Sequence, residues 1–275
     1  MDINRRMVAA FRARKVPAIG FVNERFLQID GERDARTGLL RIWTASGMSL
    51  GNHLYRHRSL TSTPLREYQD DVLRGEVLTR AVLAVDKLPL VYFRHPFLHT
   101  GPTLQIKQAF ESFLAERGYR VAPATLDHSD WVFTRVYESA IVTKDRGLRT
   151  RTVAAFLSFF EAQIAQAEQA SVALFGREIP QILMTHANRI NADQTPRWLA
   201  ALERRGYTFV SLDQALSDPA YATRDTHPFR EGVSWFTRWA ASLGRPLPEN
   251  PQARIPQEIL DRYREIAAAS PEINE

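Results

Sequence analysis

The sequence predicts an α/β fold built on a parallel sheet covered on both faces, either a barrel or a doubly wound sheet. Three observations carry this. Helical and extended patterns alternate along the chain, the extended stretches are short and almost wholly apolar, and polar clusters fall directly after them. In such folds chemistry collects at the carboxyl ends of the strands, so candidate site residues are expected just after each apolar run.

Met7, Val8 and Phe11 recur at helical spacing, and Lys15-Val16-Pro17 ends that helix ahead of a strand at Ala18-Ile19-Gly20-Phe21-Val22. A second helix over 38–47, with Leu39, Leu40 and Trp43 on one face, leads to a strand at Met48-Ser49-Leu50. Thr63-Pro64 offers a cap and a first-turn proline to a long helix running to about Val85. A strand over 88–93 empties into Arg94-His95-Pro96-Phe97, and a helix over 103–117 stops at Gly118. One or two short strands lie within 119–126, and a long helix over 148–175 reaches Gly176. A strand over 179–184 ends at Thr185-His186, Gly206 closes a helix over 191–205, and a last strand over 207–210 precedes Ser211, the cap of a short helix. From about Asp218 the pattern changes, which divides the chain into a domain over 1–217 and a C-terminal helical extension over 218–275. Trp235 and Trp239, four apart, are expected to pack that extension onto the domain.

At 275 residues and 44% apolar the chain can build one sizeable core with an appendage. No apolar run approaches the ~18 residues of a membrane span. Met1-Asp2-Ile3-Asn4-Arg5-Arg6 leads into an amphipathic helix and does not read as a signal peptide. With no cysteine, a metal site would have to use His, Asp or Glu. Thirty-six Lys+Arg against 31 Asp+Glu leave a mild net charge of +5, and the arginines are spread without a basic run, so no nucleic-acid partner is expected. Oligomeric state is not legible.

The stretch with the most chemistry is Gly51-Asn52-His53-Leu54-Tyr55-Arg56-His57. His53 and His57, four apart, would share one side of a helical turn, which is metal-ligand spacing. Spacing alone serves two surface histidines equally well. Six of the seven histidines (53, 57, 95, 99, 128 and 186), however, follow predicted strands. Four strand ends carry His53 with His57, Arg94, Asp127 with Asp130, and His186. Ordinary capping would supply Asp and Ser but has little need of an arginine and three histidines, which favours an active site.

Taken together these residues resemble the motifs of the polysaccharide deacetylases, the carbohydrate esterases that include chitin and peptidoglycan N-acetylglucosamine deacetylases. Gly51 to His57 is similar to the family's G-N-H-T-x-x-H, Arg94-His95-Pro96-Phe97 to R-x-P-[YF], Asp127-His128-Ser129-Asp130-Trp131 to D-x-x-D-W, and Ile182 to His186 to L-x-L-H. The four occur in the family's order across residues 48–186. Lys15 to Asn23 also resembles its second strand, K-x-P-A-T-F-F-V-N.

The resemblance implies a distorted (β/α) barrel in which His53 and His57 bind a divalent metal, zinc first and cobalt as the alternative. Arg94 would orient the catalytic base, and the backbone N–H of Phe97 would help hold the oxyanion. Asp130 would hold and charge-stabilise His186, the general acid, and Trp131 would line the acyl pocket. The substrate would be an N-acetylated glycan. The family's first motif, T-F-D-D, supplies the base and a third metal ligand, and no Asp-Asp pair precedes Lys15; Asp70-Asp71 lies in a helical pattern downstream. The first strand is therefore expected to be missing through an N-terminal truncation, and the chain as written is expected to turn over poorly. A periplasmic or cell-surface address is expected of the full-length protein. The alternatives are a non-catalytic glycan-binding pseudoenzyme and a related hydrolase of small amides.

Overall fold

Every strand pairing in the computed structural model is parallel, as the short apolar strands require. The structure describes residues 2–269. In order they form α1 (Asp2–Ala13), β1 (Ile19–Val22), α2 (Arg33–Thr44), β2 (Ser49–Asn52), α3 (Leu65–Arg74), α4 (Val77–Val85), β3 (Tyr92–Phe93), α5 (Leu104–Glu116), β4 (Arg120–Val121) and β5 (Leu126–Asp127). There follow α6 (Asp130–Val142), α7 (Arg146–Phe175), β6 (Leu183–Met184), α8 (Arg189–Arg204), α9 (Leu212–Leu216), α10 (Trp235–Leu243) and α11 (Gln257–Ala269). No helix among the described residues is long and apolar enough to cross a membrane.

Four expectations need correcting. The helix expected to run to Val85 is two helices, α3 and α4, parted at Gly75, and Pro64 rather than Thr63 occupies the N-cap position of α3. A Cβ on Gly75 would lie 2.4 Å from the carbonyl carbon of Leu54 and 2.5 Å from the nitrogen of Tyr55. The chain breaks there because the backbone of another segment occupies the space. The residues expected as a strand over 207–210 pair with no strand among the described residues. The strands expected over 88–93 and 179–184 pair only at Tyr92–Phe93 and Leu183–Met184. A helix that was not expected, α6, starts at Asp130.

The chain divides into two compact units. The first takes residues 11–124 and 209–246 and holds the sheet β1-β2-β3-β4, with Ile19 opposite Ser49, Asn52 opposite Phe93 and Tyr92 opposite Arg120. Its core packs Phe93 on Phe110 with ring centroids 5.3 Å apart and Phe110 on Tyr68 at 4.9 Å, all three fully buried. Inside this unit the segment before α10 is locked by Arg238, whose guanidinium is wholly buried. It donates to the carbonyl of Leu98 at 2.8 Å, to Oγ1 of Thr100 at 2.8 Å and to Asp225 at 3.3 Å.

The second unit takes residues 2–10, 125–208 and 247–269 and holds the pair β5-β6, with Leu126 opposite Leu183 and Asp127 opposite Met184. Phe133, Phe156, Phe160, Ile164 and Leu199, all fully buried, form its core beneath α6, α7 and α8. The lead-in to α11 is tied to α7 by Gln163, which donates to the carbonyl of Ala253, and by Asn250, which donates to that of Ala162.

Gly75→Ala is expected to destabilise the protein by about 1–3 kcal/mol, because backbone cannot give way as a side chain can. Chemical denaturation would read the loss. An unchanged midpoint would mean that the approach of Leu54 and Tyr55 is not tight.

Candidate active site

The histidine pair follows β2, and its backbone is loop, not the helical turn expected. His57 has a left-handed φ of 56° and Leu54 one of 68°, conformations that cost about 1–3 kcal/mol each in bulky residues and persist only when the surroundings impose them. Several groups do so. Asn52, buried, accepts from the N–H of Leu54 at 2.8 Å, and Asp71 accepts from the N–H of Arg56 at 2.8 Å. Asn23 donates its amide to the carbonyl of His53. Gly51 leaves room for the ring of Phe21, whose carbons would sit 2.4 Å and 2.5 Å from a Cβ there. Asp71, a poor stand-in for the absent acidic motif, is thus a brace of the histidine loop.

The loop brings the two imidazoles together edge-to-face, with ring centroids 4.8 Å apart, and Phe97 packs against His57 at 4.5 Å. Nδ1 of His53 lies 2.8 Å from the carbonyl oxygen of Arg94. A carbonyl only accepts, so Nδ1 carries the proton and the Nε2 lone pair is the one presented, the arrangement a metal-ligating histidine takes. Arg94 itself is buried: it donates to the carbonyls of Ala122 at 3.3 Å and Pro123 at 3.1 Å and stacks 4.5 Å over the ring centroid of Phe21. Phe97 and Leu98 both have φ of 56° and turn the chain sharply after Pro96. The carbonyl of Phe97 lies against Gly232, where a Cβ would approach it to 1.8 Å.

In the second unit the site residues start from a turn. The N–H of Ser129 donates to Oδ1 of Asp127 at 2.9 Å, Ser129 takes a left-handed φ of 49°, and Asp130 enters as the first residue of α6. Asp130 is 1% exposed. Its Oδ2 accepts from the N–H of His186 at 2.8 Å, from the hydroxyl of Thr185 at 3.2 Å and from the amide of Asn191 at 2.6 Å. Its Oδ1 accepts from Nδ1 of His186 at 2.6 Å. Burial raises the carboxyl's pKa, but the positive charge that His186 and His128 can carry, with the N–H groups of His186, outweighs it and holds Asp130 at about 2.

Not every histidine after a strand serves a site. His128 is boxed by Phe156 and Phe160, and burial pushes its pKa down against the pull of Asp130 and Asp127. His95 is buried against Phe93 and Phe110, and burial, with Arg238 and Lys107 nearby, lowers it to about 3. His99 accepts from or donates to the hydroxyl of Ser59 at 2.7 Å. Trp131 is half exposed and packs edge-to-face on Tyr263 of α11, centroids 5.4 Å apart. Asn191 was not singled out from the sequence, where it only opens the helix expected over 191–205; in the structure it is the third residue of α8, which Asn188 caps.

His53 and His57 fit a divalent ion as two imidazole ligands, but no group of three or more potential ligands exists among the described residues. A catalytic zinc usually takes three protein ligands. Among the described residues the two imidazoles are one donor short of that.

The pH dependence of stability follows from Asp130. A carboxyl held at about 2, below its ordinary 3.8, stabilises the fold above pH 3.8, and that contribution is lost as pH falls through 2. For this buried group it amounts to roughly 2 kcal/mol. The stability difference between the native chain and Asp130→Asn should shrink as acidification carries the pH from 3.8 down through 2. A difference that stays constant to pH 2 would contradict the assignment.

No family profile matches the chain, and no curated relative matches it by sequence. Solved structures do. The chitin deacetylase of the fungal pathogen Colletotrichum lindemuthianum matches with TM-score 0.54 and 17% identity over 78% of this chain and 82% of that one. A CE4 family pseudoenzyme from Bacillus anthracis matches with TM-score 0.51 and 13% identity over 78% and 60%, and a mutant of it with restored enzymatic activity with TM-score 0.51 and 14% identity over 78% and 62%. PdaA of Bacillus subtilis, a family 4 carbohydrate esterase, matches with TM-score 0.50 and 16% identity over 78% and 74%. The match spans about three-fifths of the pseudoenzyme's length. The chain has the polysaccharide deacetylase fold of the family 4 carbohydrate esterases.

Proposed function

We propose that the chain belongs to the polysaccharide deacetylase family and hydrolyses the acetamide of an N-acetylated polysaccharide, a carbon–nitrogen bond that is not a peptide bond. The observation that carries this reading is the Asp130–His186 pair. Breaking that bond needs a proton on the departing nitrogen, because an amide anion is too poor a leaving group at neutral pH. With Nδ1 of His186 bonded to a buried carboxylate, the proton His186 can give up is the one on Nε2, and the carboxylate stabilises the imidazolium before transfer. Water adds to the acetyl carbon as its proton passes to a base that the Asp-Asp strand would carry, the C–N bond then breaks as the Nε2 proton passes to the amine nitrogen, and acetic acid and the free amino sugar result and ionise in water.

The other residues take supporting parts in this reading. The N–H of Phe97 is a donor for the developing oxyanion, Trp131 walls the acetyl methyl, and Arg94 orients the base. His53 and His57 would hold a divalent ion, zinc or cobalt, which when bound polarises the carbonyl and acidifies water. The substrate's location, periplasmic or cell-surface, belongs to the same proposal. Acetate release from N-acetylglucosamine oligomers, assayed with zinc or cobalt on a form carrying an Asp-Asp strand ahead of β1, tests it. No release across several glycans would count against it.

The donor set, one ligand short, favours a second reading, a glycan-binding pseudoenzyme, and a solved relative is named as a pseudoenzyme. It predicts affinity for N-acetylated oligomers that a chelator leaves unchanged. Calorimetric titration with and without the chelator separates the two, since a metal-dependent site would weaken when stripped.

A further inference from the structure

Asn191 lies wholly buried in the first turn of α8, three residues after the N-cap Asn188, whose side chain accepts from the N–H of Asn191 at 3.0 Å. In a capping box the side chain at this place reaches back to the N-cap backbone. Here it turns inward. Its Nδ2 donates to Oδ2 of Asp130 at 2.6 Å and to the carbonyl of His186 at 2.9 Å, while the hydroxyl of Thr195 donates to the backbone carbonyl of Asn191 at 2.6 Å. One amide thus ties the carboxylate to the backbone of the imidazole it serves.

We infer that Asn191 is a positioning residue that selects the tautomer of His186. With the N–H of His186, the hydroxyl of Thr185 and the amide of Asn191 all on Oδ2, rotation of the Asp130 carboxylate would break three hydrogen bonds, so Oδ1 is kept for Nδ1 of His186. Without the amide two of those three bonds remain, the carboxylate turns more readily, and Nδ1 keeps its acceptor for less of the time. A neutral imidazole in solution then divides between its two tautomers instead of keeping Nε2 bare. The inference rests on the proposed deacetylase reading only for the use made of the proton; the geometry it concerns exists whether or not acetate is released.

The test is imidazole ¹⁵N spectroscopy of the full chain, at a pH where His186 is neutral. The native protein should show His186 protonated at Nδ1 and bare at Nε2, and Asn191→Leu, close in size and without the donor, should lose that form as the dominant one. His53, whose Nδ1 is held by the carbonyl of Arg94, is the internal control and should not change. A His186 pattern unaltered in Asn191→Leu would overturn the inference. Should that variant not fold, the native protein still decides it: the Asn191 side-chain amide resonances should move as His186 titrates, and resonances that stay still would overturn it. Absence of acetate release in the assay above would sink the deacetylase reading and leave this result standing.

Discussion

Asp130→Ala is expected to lose about 1–3 kcal/mol of stability, the range for leaving a buried donor without its acceptor. The carboxylate, 1% exposed, accepts four hydrogen bonds from His186, Thr185 and Asn191, and alanine leaves the buried amide of Asn191 without that acceptor, while the exposed His186 turns to water. Any deacetylation should fall by about 10²–10⁴ in the same variant, because His186 loses both its orientation and its counter-charge. Denaturant titration reads the first effect and acetate release the second. A loss below 1 kcal/mol would mean that the carboxylate is not the acceptor described.

Arg238→Met should cost about 3–5 kcal/mol, the range for removing one partner from a buried ionic pair. The buried guanidinium satisfies Leu98 and Thr100 and neutralises Asp225, whose side chain is 9% exposed and has, among the described residues, Lys107 at 3.6 Å as its other cation. Methionine fills much of the volume but strands that carboxylate. It also releases the carbonyl of Leu98, one of two successive residues held at φ of 56°, so the Phe97 N–H is expected to be misplaced as well. Thermal unfolding together with the Phe97 amide chemical shift would register both. Native stability with an unmoved Phe97 amide would show that the turn holds itself.

Much of the fold is legible because apolar runs report burial directly: strands fall where Ile19 to Val22, Leu50 and Tyr92-Phe93 predict them. The helix α6 escaped because it has no stripe to read: Val132, Phe133, Thr134, Val136, Tyr137 and Ala140 are buried around most of its circumference. The break at Gly75 escaped for a different reason. A glycine within a helical pattern is usually tolerated, and what makes this one decisive is the backbone of Leu54 and Tyr55, distant in sequence.

The site shows the same division. The i, i+4 spacing of His53 and His57 correctly indicates that the rings meet, yet the helix that spacing suggests is absent; a left-handed His57 does the work. Asp130 and His186 were legible as a pair through their motifs, whereas Asn191 was not, since nothing local distinguishes an inward amide from a capping one. His95 and His128 show the limit of counting histidines after strands, for both are core residues.

The measurement that bears most directly on His186 as a general acid is a comparison of leaving groups in a form that releases acetate. His186→Gln should slow release from N-acetylglucosamine oligomers by about 10²–10⁴ but barely affect 4-nitrophenyl acetate, whose departing phenolate needs no proton. Equal losses on both substrates would contradict the assignment.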